Sequence, residues 1–351
     1  MIYGAMNVNQ LVLARQFRQL SQTGLAKDAR ITQAALSKIE SGELTPSPET
    51  EKNIIKALNF PKSFFEVHCN DAISTLSFHA YRKSASVPVS QIQRIHAELH
   101  IKHSHYSKIS PYLPKQNLPS SLFEIKEPSL LAKELRAYWG VGDNPIENIT
   151  MLIEQSGIPV YLCDFGSASI YGVTTKDSES VKAIFLNKNQ PADRYRFSLA
   201  HELFHYIAHA DEIECTDEME DEANLFAAEL LLPASQLYEP LRNLKLETLV
   251  RLKQEWRVSM AALIYRAKSI GSINAVQSTS LWKLMAMKGF RKIEPFPLKP
   301  ERPYGINNAI HSFLKEKEQP LNKACTVFDL SEDDFRLLYP NFYDSQEVTV
   351  T

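Results

Sequence analysis

Residues 196–209 read RFSLAHELFHYIAH. Leu199, Ala200, Leu203, Phe204 and Ile207 recur at helical spacing and form an apolar stripe, which leaves His201 and His205 one turn apart on another face. Glu202 lies between them in sequence. This is an HExxH arrangement: a helix holds two imidazoles in place before a metal arrives, and zinc takes such neutral nitrogens at about 2.0–2.1 Å. The adjacent carboxylate can accept a proton from a water that the metal activates. A hydrolytic zinc keeps three protein ligands and one open position, so a third donor must come from another segment.

The segment that follows, DEIECTDEMEDEAN over residues 211–224, carries Asp211, Glu212, Glu214, Asp217, Glu218, Glu220, Asp221 and Glu222. Most of these read as the solvated first turn of a helix, where acids suit the helix dipole. Glu220, Ala223, Asn224, Ala227 and Ala228 fall at i, i+3, i+4, i+7 and i+8, a face of mostly small residues that lets this helix approach the HExxH helix with Glu220 inward. Glu220 is therefore the expected third ligand, Glu222 the alternative, and Glu229 a partner that orients an imidazole. His209, one turn beyond His205, reads as a surface residue or a support to the ligands. His96, His100 and His103 share a helical face beside Ile95 and Leu99, with no carboxylate or cysteine pattern to make a second metal site.

Upstream the period changes. PVYLCDF, SIYGVTT and AIFLN, between Pro159 and Asn189, are short β-branched and aromatic runs bounded by turn residues and predict three strands. Helical patterns cover Ser129–Trp139, Asn144–Gln155, Pro191–Ala210, Asp217–Leu232 (stopped by Pro233) and, as two helices, Leu246–Ile270. RFSLAHELFH followed by EDEANLFAAELLLP resembles the zinc metallopeptidase domain of the ImmA/IrrE family over roughly residues 125–275. That resemblance implies a small twisted sheet before the HExxH helix, His201, His205 and Glu220 as zinc ligands, and Glu202 as general base. Members of that family are typically intracellular and tend to cleave helix-turn-helix repressors, which implies limited regulatory proteolysis. No oxyanion donor is identifiable; Tyr206, Tyr265 and Arg266 are candidates by proximity alone.

At the other end, residues 21–42 read SQTGLAKDARITQAALSKIESG. Leu25 and Ala26 belong to a first short helix, Arg30–Thr32 to a turn, and Leu36 and Ile39 to the buried side of a second helix that Thr32 caps. Gln33, Ala34, Ser37 and Lys38 form that helix's outward face, suited to base edges and phosphates in a major groove. Continuing through ELTPSPETEKNIIKALNFPKSFF, the segment resembles the Cro/repressor (XRE) type of helix-turn-helix. The resemblance implies that Gln22 touches phosphate and that Ile39-Glu40-Ser41-Gly42 and Pro46 close the motif. Arg30 stands in the turn where that family usually has Gly, and Gly24 lies inside the first helix.

Residues 1–42 hold five basic and two acidic side chains, while the 351-residue chain, with 39 basic and 41 acidic, carries a formal charge of −2. Contact with double-stranded DNA is thus expected to be local and salt-sensitive. Four widely spaced cysteines, Cys69, Cys163, Cys215 and Cys325, make no CxxC and read as reduced thiols. No secretory signal and no membrane-length apolar run occur, so a cytoplasmic location is expected.

The expected architecture is α+β: an all-α helix-turn-helix domain over residues 8–66, a helical connector over 67–124, a mainly helical zincin-like peptidase domain with a small three-stranded twisted sheet over 125–275, and a C-terminal extension over 276–351. Within the extension, GFRKIEPFPLKPERPYG is too rich in Pro and charge for one helix, and Pro320–Tyr343 reads as a small accessory subdomain. The expected function is a DNA-binding regulator fused to a zinc endopeptidase that cuts a repressor-like or toxin–antitoxin partner, or its own linker. The rival is a metal-containing repressor or antitoxin that cuts nothing. Two-fold operators would call for a homodimer, though residues 80–110 carry no heptad seam long enough to establish one.

Overall fold

The computed structural model describes residues 6–66, 87–167, 170–176, 182–209, 216–242, 244–340 and 342–343. The first part of the expected connector, residues 67–86, lies outside them, as do Asp211, Glu212, Glu214, Cys69 and Cys215.

The N-terminal head comprises α1 (Val8–Phe17), α2 (Gln22–Asp28), α3 (Gln33–Glu40) and α4 (Pro48–Leu58), closed by a 3-10 turn over Lys62–Glu66. Polar side chains start each helix: Asn7, Ser21, Thr32 and Ser47 accept the backbone N–H of Asn9, Gly24, Ala35 and Thr50, which satisfies donors that the first turn cannot. Leu11, Ala14, Leu25, Leu36, Ile54 and Leu58 are fully buried between them.

A single 21-residue helix, α5 (Val89–Ile109), follows; by spacing alone, Ile92, Ile95, Leu99, Ile101 and Ile109 allow one or two helices here. Then come α6 (Ser120–Glu124), α7 (Pro128–Tyr138) and α8 (Ile149–Gln155). The last is shorter than the expected Asn144–Gln155, because Pro145 precedes it and Asn148 caps it by accepting the Met151 N–H. The three expected strands are present as β1 (Val160–Cys163), β2 (Gly172–Lys176) and β3 (Lys182–Asn187), in the order β1-β3-β2. β1 runs parallel to β3 with Tyr161 opposite Phe185, and β2 runs antiparallel to β3 with Val173 opposite Phe185. Helices resume with α9 (Ala192–Ala208), α10 (Asp217–Leu231), α11 (Ala234–Leu237), α12 (Leu246–Trp256), α13 (Met260–Ser269), α14 (Ala275–Met287), α15 (Gly305–Glu316), α16 (Ala324–Val327) and α17 (Glu332–Leu338).

Strand alternation divides the core in two. Val160, Ile184 and Leu186 face a cluster with Leu199, Leu203, Phe226 and Leu263 from the surrounding helices. Tyr161, Cys163, Val173 and Phe185 belong to a second cluster with Ile95 and Leu99 of α5, Leu11 and Phe17 of the head, and Ile310, Phe328 and Phe335 near the C-terminus. The head and the sheet thus share one core. Polar contacts pin α5 to the end of β1: the Arg94 guanidinium donates to the Asp164 carbonyl at 2.6 Å, and Lys102 Nζ donates to the Leu162 carbonyl at 2.7 Å while contacting Glu98 Oε1 at 2.7 Å and Cys163 Sγ at 3.0 Å.

The stretch between α14 and α15 contains no helix, as its prolines dictate, and two carboxylates tie it down. Glu294 accepts the N–H of Met260 at 2.8 Å and pairs with buried Lys253 at 2.7 Å; Glu301 accepts the N–H of Thr150 at 2.9 Å and pairs with buried Arg196. Across the molecule, Arg18 at the end of α1 donates to both carboxylate oxygens of Asp334 in α17, at 2.6 and 2.7 Å, and to the carbonyls of Leu58 and Asn59.

Candidate metal centre and nucleic-acid interface

His201, Glu202 and His205 lie on α9 and Glu220 in the first turn of α10, whose N-cap Thr216 accepts the Met219 N–H. Ala223 and Ala227 of α10 are fully buried, and Phe226 meets Phe204 of α9 with ring centroids 5.1 Å apart. This close packing, permitted by the small residues, sets Glu220 beside the imidazoles. His205 Nε2 lies 3.2 Å from His201 Nε2, and Glu220 lies 3.5 Å from His201 Nε2 and 3.7 Å from His205 Nε2. Donors about 2.0–2.1 Å from a tetrahedral ion stand roughly 3.3–3.5 Å from one another, so the two imidazole nitrogens and the Glu220 carboxylate, which offers Oε2 to His201 and Oε1 to His205, fit one small cation. Among the described residues, this is the group of histidine and carboxylate donors with the spacing of a metal site.

Each imidazole is held from behind. His201 Nδ1 lies 3.1 Å from Asn224 Oδ1, and His205 Nδ1 lies 3.0 Å from His209 Nδ1, whose Nε2 is 3.0 Å from Glu222 Oε2. Glu222 therefore turns to His209 while Glu220 faces the two Nε2 atoms. The expectation that Glu229 orients an imidazole is corrected: it accepts the Ala234 N–H at 3.1 Å and pairs with Arg266, locking the end of α10 to α13. Asn224 was noted only as part of a pattern; it stands one helical turn from Glu220, which is the signal that could have marked it.

Glu202 is buried, 5% exposed. Thr174 of β2 donates its hydroxyl to Glu202 Oε2 at 2.8 Å, with the Glu202 carbonyl at 2.9 Å from the same oxygen. Two residues earlier, Gly172 leaves space for this carboxylate, since a Cβ there would lie 2.7 Å from Glu202 Cγ. Burial pushes the Glu202 carboxyl up to about 7, against the opposing pull of His201 and of the Thr174 hydrogen bond. A group so placed is suited to exchanging protons near neutrality. Neither Thr174 nor Gly172 was singled out in the sequence. Of the oxyanion candidates, Tyr206 is buried, Tyr265 rests exposed against Trp282, and Arg266 is committed to Glu229 and the Leu232 carbonyl. His96 and His100 are both lowered to about 4 by burial, which keeps them neutral in the fold.

In the head, Gln33, Ala34 and Lys38 are exposed on α3 and Ser37 is half-buried beside them. Gln22 and Gln33 form a fixed pair: Gln33 Nε2 donates to Gln22 Oε1 at 2.9 Å, and Gln22 Nε2 donates to Glu40 Oε2 at 2.8 Å. Glu40 is in turn gripped by the Arg15 guanidinium at 2.6 and 2.9 Å. Arg15 and Glu40, read from sequence as a basic charge and a closing motif, thus brace two of the expected DNA contacts. Arg30 adopts φ of 60° in the turn between α2 and α3.

Residues 153–268 match the peptidase family M78, described as an IrrE N-terminal-like domain, and residues 13–65 match the helix-turn-helix family. A search of curated proteins gave no match. The chain joins a DNA-binding helix-turn-helix domain to a metallopeptidase-type domain.

Proposed function

We propose that this chain, which carries a helix-turn-helix head and a metallopeptidase-type domain, is a transcriptional regulator that binds double-stranded DNA through α3 and cuts a protein at a zinc ion held by His201, His205 and Glu220. The observation that carries this reading is the convergence of three donors at 3.2–3.7 Å beside a buried, oriented carboxylate on the same helix. When bound, zinc would supply Lewis-acid polarisation of a water and of the scissile carbonyl. Glu202, with Oε2 fixed by Thr174, takes a proton at Oε1 and delivers it to the leaving amine. Thr174 holds the carboxylate in one orientation, and Gly172 leaves it room. On α3, Gln33 and Lys38 face the base edges and phosphates, with Gln22 held to Gln33 as part of the same surface, next to Ala34 and Ser37.

The substrate we favour is another helix-turn-helix protein, a repressor or a toxin–antitoxin partner, bound in the cytoplasm where the free thiols of Cys163 and Cys325 belong. The shared core supports cutting in trans: severing residues 67–86 would leave the head docked on α5 and α17. A homodimer would match a two-fold operator.

Wild type and Glu202→Gln are to be compared for zinc content and for cleavage of helix-turn-helix proteins encoded next to this one. Glu202 contributes no ligand in this reading, so both proteins should hold about one zinc per chain and only wild type should release defined fragments. Zinc in both with cleavage by neither would make the chain a metal-containing repressor or antitoxin.

A further inference from the structure

Behind the proposed ligands runs a chain of contacts from Glu222 on α10 through His209, the C-cap of α9, to His205. We infer that Glu222 and His209 set the tautomer of His205, so that His209 is a positioning residue for metal capture; the inference rests on the metal-centre reading above. A carboxylate can only accept a hydrogen bond, so Glu222 Oε2, 3.0 Å away, calls for the proton of His209 on Nε2. With that single ring proton on Nε2, His209 presents a lone pair at Nδ1. Only the Nδ1–H form of His205 can donate to it across the 3.0 Å gap. That form leaves the lone pair of His205 on Nε2, the atom 3.2 Å from His201 Nε2 and 3.7 Å from Glu220.

The opposite order would put a proton on His205 Nε2 and block ligation. His209 is 7% exposed and stands edge-on to Phe204, centroids 4.9 Å apart, so its ring cannot swing away freely. His201 meets the same need more simply, through the Asn224 carbonyl oxygen, which can only accept.

Two substitutions separate the acceptor from the ring. His209→Asn puts a carbonyl oxygen near the place of Nδ1, whereas His209→Phe keeps a ring and removes the acceptor. Nitrogen-15 NMR of histidine-labelled, metal-free protein at pH 8 should show the His205 proton on Nδ1 in wild type and in His209→Asn, but not fixed there in His209→Phe. Zinc affinity, measured by chelator competition, should fall about 10–100-fold in His209→Phe and stay within about threefold of wild type in His209→Asn. The inference is overturned by a wild-type His205 protonated on Nε2, by His209→Phe binding zinc as wild type does, or by His209→Asn losing as much affinity as His209→Phe. Should wild type bind no zinc, the metal-centre reading falls, and the NMR result alone decides whether the tautomer is set as inferred.

Discussion

Arg30 turns the chain between α2 and α3 with a left-handed backbone, a conformation that costs a residue with a Cβ about 1–2 kcal/mol and glycine almost nothing. Part of the gain from Arg30→Gly is offset by the freer unfolded chain. The substitution should still stabilise the protein by about 0.5–1 kcal/mol in denaturant titration. The salt slope of DNA binding should drop by no more than about one; a loss of stability would mean that the arginine side chain itself holds the turn. This position was legible because a helix-turn-helix demands one backbone conformation there and the residue present disagrees with it. Glu202 and the two histidines were legible for a like reason, since their chemistry is written in local spacing. Thr174 and Gly172 were not: their bearing on Glu202 depends on the pairing of β2 with β3 and on how α9 crosses the sheet, and neither appears in the run SIYGVTT.

α5 shows how far element-level reading reaches. The spacing of Ile92, Ile95, Leu99 and Ile101 predicts a helix, but it says nothing of Glu98 and Lys102, which are fully buried beside β1. Periodicity tells where apolar residues lie; it does not tell that charged ones will be paired and enclosed. Buried His105, whose Nδ1 is 2.7 Å from the Tyr339 hydroxyl, gives this helix a pH signature. Burial holds its imidazole down to about 3; the charges of Lys108 and Lys102 act in the same direction and a hydrogen bond with the Phe328 backbone acts against them. The unfolded chain, at its ordinary value of 6.5, binds a proton through this window while the folded chain does not. Stability is therefore full above about pH 6.5 and falls as the pH drops below it, by roughly 2 kcal/mol at pH 5 from this residue. His96 and His100 add in the same direction. His105→Gln, which can keep a hydrogen bond to Tyr339, should flatten the decline between pH 7 and 5 by about that amount in urea titrations. An unchanged decline would show that His105 does not cause it.

At the scale of the whole molecule, the domain map drawn from sequence separates a head, a connector, a peptidase and an extension, because each stretch has its own local period. The second core crosses those borders, and no local period encodes a contact such as Arg18 with Asp334, 316 residues apart. A shared core predicts shared unfolding: calorimetry of the intact chain should show the head and the peptidase melting in one transition. Arg18→Ala leaves the buried Asp334 carboxylate without its cation and should cost about 3 kcal/mol. Amide exchange in α1 and α2 should speed up with it. Two separate transitions in the wild type would mean that the two cores are independent.

The same contact bears on the order in which the protein is made. Arg18 leaves the ribosome early, and at roughly 5–20 residues per second the 316 residues up to Asp334 take roughly 15–60 s more. For that interval the nascent head lacks the wall that completes its core. A newly made chain thus carries exposed apolar surface on its head until the C-terminal helices follow, long enough for a chaperone to meet it.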